Sequence, residues 1–116
     1  MSEIDIDELS SRLGEVPVLD VRGASEYDGS AGHGCDPRQG HIPGARNVPV
    51  EELIELNEPE IRERVGLPPG AEVVVYCHSG SRSSLAAQVL RSLGYEARNY
   101  LGSWHEWSRT DLPFST

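Results

Sequence analysis

The stretch EVVVYCHSGSRS (72–83) puts a cysteine where an apolar run stops and a polar, glycine-bearing turn starts. Cys77 is followed by His78, Ser79, Gly80, Ser81 and Arg82, and a helix-like pattern begins there. The small residues Ser79, Gly80 and Ser81 let the backbone curl tightly and point several N–H groups inward. N–H groups gathered at a helix N-terminus form an anion cradle. The same field favours thiolate over thiol, so Cys77 is expected to have a lowered pKa. Arg82 adds a permanent positive charge. A nucleophilic cysteine can be prepared this way without a histidine base. An inert cysteine at a strand end would have no use for the glycine and arginine that follow it.

Two chemistries use such a loop. In the first, a cysteine attacks phosphorus or arsenate. Cysteine phosphatases place one residue more between Cys and Arg than the four found here, His78 to Ser81. They also need an aspartic general acid, for which no good candidate stands out. In the second, the smaller ring holds a single persulfide sulfur.

These residues must be positioned by alternating strands and helices. Asp5 and Glu8 have the spacing of a capping box, and Ile4 and Leu9 that of a hydrophobic staple. Ile6, Leu9 and Leu13 share one face of the helix that follows, and Gly14 can end it. Residues 16–21 (VPVLDV) read as a strand. Residues 23–40 hold five glycines and read as a long loop, functional or mobile, with a turn of helix near Ser25 to Tyr27. His41 to Gly44 is a turn, residues 45–50 a strand closed by Pro49, and residues 51–56 a helix. Asn57 and Glu60 form a second capping pair, with a helix to about Val65. Residues 72–76 read as a fully buried strand. The next helix places Leu85, Ala86, Val89, Leu90 and Leu93 on one face and closes at Gly94. Residues 96–101 form a strand, and 102–109 a short helix with Trp104 and Trp107. The alternation implies an α/β domain with a mainly parallel sheet. At 116 residues the chain is one domain, large enough to fold without disulfides or metal.

The net charge of −9 disfavours nucleic acid and anionic lipid as partners. It is the charge of a soluble protein, or of one whose acidic face docks a basic partner. No run is long enough to span a membrane, and the acidic N-terminus lacks the features of a secretory signal. The cytoplasm is therefore the expected compartment, where the two cysteines stay reduced.

Taken together, VLDVR (18–22), EY (26–27), GHIPGARNVP (40–49), VVVYCHSGSRS (73–83), LGY (93–95) and LGSWHEW (101–107) resemble the single-domain rhodaneses, a sulfurtransferase family. The resemblance runs from about Val16 to Pro113. It implies a five-stranded parallel sheet flanked by helices. It also implies a two-step reaction in which Cys77 takes a sulfane sulfur from a donor such as thiosulfate. The resulting persulfide then passes that sulfur to cyanide or a thiol. The loop from His78 through Ser79, Gly80, Ser81 and Arg82 to Ser83 would stabilise the anions, with no cofactor. The alternative is a relay module that delivers the sulfur to a protein partner.

Members active on thiosulfate often carry Arg or Lys directly after the cysteine, where this chain has His78. Two-domain thiosulfate enzymes tend to have arginine where this chain has Glu26. Both differences weaken the expected attraction for a dianion. Asp20 and Arg22 are expected to tie the strand end to its neighbouring loops. His41 is expected to make a structural hydrogen bond beneath the HIPG turn. The spacing of Trp104 and Trp107 points to core packing, although Trp104 could also wall the active-site mouth. Cys35 reads as a free surface thiol, with a resolving or sulfur-accepting role as the alternative. His33, Cys35 and His41 fit no common zinc spacing, so no metal is expected.

Overall fold

The computed structural model describes residues 3–116. Five strands form one parallel sheet: β1 (Glu3–Ile4), β2 (Val18–Asp20), β3 (Arg46–Asn47), β4 (Glu72–Tyr76) and β5 (Glu96–Tyr100). Their spatial order is β1-β5-β4-β2-β3, and every pairing is parallel. Six helices connect them: α1 (Ile6–Ser11), α2 (Ala24–Tyr27), α3 (Val50–Glu55), α4 (Glu58–Val65), α5 (Ser81–Ser92) and α6 (Ser103–Trp107).

Local chemistry sets the helix ends. The Asp5 side chain caps α1 by accepting the Glu8 N–H at 2.8 Å. Glu8 does not reciprocate; its carboxylate joins Arg12 and Arg98 instead. Asn57 and Glu60 do form the full reciprocal box at the head of α4. Gly66 ends that helix in the left-handed conformation.

From Val73 to Tyr76 strand β4 is buried because both sheet faces are covered, whereas Glu72 at its start is half-buried and pairs with Arg12 and Arg98. Val73 and Val75 join Leu19, Leu53, Ile61, Ala86 and Leu90 on the side of α3, α4 and α5. Val74 and Tyr76 join Leu9, Val18, Tyr100, Trp104 and Trp107 on the side of α1 and α6. The alternation along β4 is therefore between two cores, not between core and solvent.

Three expectations need correction. Leu85 is not on the buried face of α5, because the helix starts at Ser81 and turns Ser83, Ala86, Ala87 and Leu90 inward. Strand β3 is only two residues long, since Pro49 already serves as the N-cap of α3. Strand β1 was not anticipated, because two residues leave no periodicity to read. Among the described residues, no helix is long and apolar enough to cross a membrane.

Candidate active site

Cys77 lies just beyond β4, at the carboxyl edge of the sheet, where open α/β sheets bind ligands. It is almost fully buried, and it is not disulfide-bonded. The loop closes on its sulfur. The Gly80 N–H points at Sγ from 3.1 Å and the Ser83 N–H from 3.4 Å. The Ser83 hydroxyl is 3.3 Å from Sγ and donates to it once the sulfur is ionised. Burial alone would push the thiol up. The hydrogen bonds from the Ser83 side chain and from the Ser83, Gly80 and Ser79 backbone outweigh it, and the net shift is downward.

Gly80 makes this turn possible. Its φ of 99° lies in the left-handed region, and a Cβ there would stand 2.8 Å from the Leu101 carbonyl oxygen. Helix α5 begins at the next residue, so its N-terminus faces the same space.

The loop is braced from outside by α6. The Trp104 N–H donates to the Cys77 carbonyl at 3.0 Å, and the His105 N–H donates to the His78 carbonyl at 2.9 Å. The Ser103 hydroxyl accepts the Cys77 N–H at 3.1 Å and donates to the Tyr100 carbonyl at 2.8 Å. Ser103 holds this position at a φ of 55°, unusual for a residue with a Cβ. Sequence reasoning missed Ser103, since nothing in a Gly-Ser-Trp tripeptide marks its φ. Asn99 was missed too; it donates from Nδ2 to the Gly80 carbonyl at 3.3 Å.

Arg82 does not offer its charge freely. Both of its terminal nitrogens bind the Glu26 carboxylate, at 2.9 and 3.1 Å. Glu26 is aimed there by α2, where it also accepts the Gly23 N–H. Burial works against ionisation of Glu26, but Arg82 and that N–H keep its carboxyl below the usual range. The permanent charge of Arg82 is thus one half of an ion pair.

His78 likewise faces a carboxylate. Its Nε2 is 3.0 Å from Asp36 Oδ2. Asp36 also takes Arg109 at 2.9 Å, and its carboxyl is held below the usual range although burial opposes this. The long 28–40 loop is therefore anchored. Arg38 donates to the carbonyls of Trp107, Ser108 and Leu112, and the Trp104 indole N–H donates to the Arg38 carbonyl. Trp104 is fully buried, so it is a core residue that holds the loop and does not wall the mouth.

Asp20 and Arg22 form a buried two-pronged pair, with nitrogen–oxygen distances of 2.7 to 3.1 Å. Arg22 also donates to the Gly40 carbonyl, and Tyr76 donates to Asp20. His41 stacks on Tyr27, and its Nδ1 meets the Tyr27 carbonyl at 2.8 Å, which ties the HIPG turn to α2. His41 is thereby separated from His33 and Cys35. Those two lie with His78 instead.

A profile for the rhodanese-like domain matches residues 5–110. The chain belongs to the rhodanese-like family. Among curated relatives, it is 36% identical over 117 residues to a thiosulfate sulfurtransferase of Pseudomonas aeruginosa, covering 90% of this chain and 42% of that one. This rhodanese-like chain thus spans less than half of that relative. Among solved structures, a probable thiosulfate sulfurtransferase superposes with a TM-score of 0.87 at 47% identity, over 99% of this chain and 48% of the other. The human single-domain sulfurtransferase TSTD1 superposes with a TM-score of 0.69 at 33% identity, over 96% and 98% of the two chains.

The loop geometry gives a first prediction. Ser83→Ala removes a donor that stabilises only the ionised sulfur, so the Cys77 thiol should titrate at higher pH. Below the wild-type midpoint, thiol alkylation should slow by about tenfold, and the acid limb of its pH profile should move up. Alkylation with a neutral iodoacetamide across pH measures this. An unmoved profile would show that the hydroxyl does not stabilise the thiolate.

Proposed function

We propose that this chain is a sulfurtransferase that carries sulfane sulfur as a persulfide on Cys77. The observation that carries the reading is the placement of Cys77 Sγ among the Gly80 N–H, the Ser83 N–H and the Ser83 hydroxyl, with four residues between Cys77 and Arg82. In the first step the thiolate attacks the outer sulfur of a donor. A sulfur–sulfur bond forms to Cys77 and the donor's own bond to that sulfur breaks. The leaving group, sulfite in the case of thiosulfate, departs with the electron pair. In the second step cyanide or a thiolate attacks the outer sulfur of the persulfide, and Cys77 leaves as the thiolate. An anion is present on sulfur before, between and after these steps. The charge sits on Sγ before and after, and on the outer sulfur, about 2 Å further on, between the two steps.

Phosphoryl transfer is less well supported. The carboxylates flanking the loop, Glu26 and Asp36, are each held ionised by an arginine, so neither is set up to protonate a leaving group. Production of thiocyanate from cyanide by the donor-loaded protein tests the reading. Hydrolysis of a chromogenic phosphoester without any thiocyanate would reverse it.

The Glu26–Arg82 pair makes a prediction about donors. With Arg82 compensated, a dianion meets little net positive charge at the mouth. Glu26→Gln should raise kcat/KM for thiosulfate by about tenfold, corresponding to roughly 1.4 kcal/mol of recovered attraction. The gain should vanish in Glu26→Gln/Arg82→Ala. Steady-state kinetics of the three proteins decides it, and no gain in the single variant would contradict the charge argument.

A further inference from the structure

The 28–40 loop meets the Cys77 loop through side chains that the sulfur chemistry does not use. A tight turn, closed by the Asp36 N–H on the His33 carbonyl at 3.1 Å, brings His33 and Cys35 together. The main chain of both is pinned. Gln39 donates to the His33 carbonyl at 2.7 Å, and Arg109 donates to the Cys35 carbonyl at 3.0 Å. Across the gap, the His33 ring lies on the His78 ring with centroids 3.7 Å apart. One ligand-capable atom from each of His33, Cys35 and His78 lies within 4.8 Å of the others.

A second feature points to a cation there. The Asp36 side chain is fully buried against His78. Its Oδ1 accepts from Arg109, and the carboxylate faces His78 with both oxygens. His78 Nε2 straddles the carboxylate, 3.3 Å from Oδ1 and 3.0 Å from Oδ2. A buried carboxylate backing a histidine is the partner that metal-ligating imidazoles commonly have.

We propose that His33, Cys35 and His78 bind a transition-metal ion of the zinc class, with Asp36 orienting His78 and supplying charge. Two nitrogens and a thiolate suit a borderline-soft ion, and water completes a tetrahedron. Bonds of about 2.0–2.3 Å require donor atoms about 3.3–3.8 Å apart, so the cluster must close by at most about 1.5 Å. The nearly parallel His33 and His78 rings must also tilt for their lone pairs to converge. His33 is exposed, so its side chain can change rotamer to make both movements while the main chain stays pinned. On binding, Cys35 releases its proton and the ion joins the 28–40 loop to the residue after Cys77. The proposal does not depend on the sulfurtransferase reading.

Co²⁺ is a direct probe, because a thiolate ligand gives it a charge-transfer band. The titration is made in reduced Cys77→Ser protein, which removes the other thiol. The expected result is uptake of one Co²⁺ per chain with that band, and displacement of the Co²⁺ by Zn²⁺. Cys35→Ser on the same background should abolish the band. His33→Ala should weaken binding by about tenfold or more. Both residues are exposed, so these variants should fold, and circular dichroism checks that they do. No band in Cys77→Ser, or a band of equal affinity in the His33→Ala variant, would overturn the proposal.

Discussion

Cys77→Ala is expected to reduce sulfur transfer to background with every donor while leaving the fold intact. The side chain removed is small and sits at the edge of the core, so no large cavity forms. The cost to stability comes from the Gly80 and Ser83 N–H groups, which lose their shared acceptor, and should be about 1–3 kcal/mol. Activity should respond far more, because no neighbouring group can replace the sulfur as nucleophile. Thiocyanate formation and urea unfolding, measured side by side, separate the two effects. Cys35→Ala is the control and should retain transfer, since Cys35 is exposed and outside the Cys77 hydrogen-bond network. Retained transfer in Cys77→Ala would remove the basis of the mechanism.

The second large effect is on stability. Asp20→Ala should cost about 3–5 kcal/mol, because it leaves the buried Arg22 guanidinium without its counter-charge. That is a large part of a typical domain stability of about 5–15 kcal/mol. The loss would spread, since Asp20 also accepts the Tyr76 hydroxyl, which in turn accepts the Ile42 N–H. Replacing Arg22 by Met in the same protein should restore part of the stability, because it removes the orphaned charge. Urea midpoints of the single and double variants test this. A loss below about 1 kcal/mol in Asp20→Ala would show that the pair is not a fastening of the sheet edge to the Gly40 turn.

The parts of this molecule that the sequence made legible are those governed by neighbours in the chain. Strand β4 could be read to the residue from its β-branched run, and the α4 box from Asn57 and Glu60. The Cys77 loop was legible because Gly80 and the start of α5 are local signals of an anion cradle. The Asp20–Arg22 pair, two residues apart, was legible for the same reason.

What escaped depends on contacts between distant segments. Arg82 reads as a free charge until Glu26, 56 positions earlier, is brought against it. Trp104 reads equally as core or as wall until its indole is found holding the Arg38 carbonyl. That His33 and Cys35 meet His78 is set by the fold alone, because the two segments lie more than forty residues apart in the chain. The bracing of the Cys77 carbonyl by α6 runs through main-chain atoms, which no side-chain pattern announces. Strand β1, with two residues, has no period at all.

The most direct test of the central claim is the mass of the reduced wild-type protein after brief exposure to a sulfane donor. Thiosulfate and an inorganic polysulfide should be tried in parallel, followed by peptide mapping and then cyanide. The account predicts a gain of one sulfur atom, located on Cys77 and removed by cyanide as thiocyanate. A protein that gains no sulfur from either donor, or gains it on Cys35 alone, would contradict it.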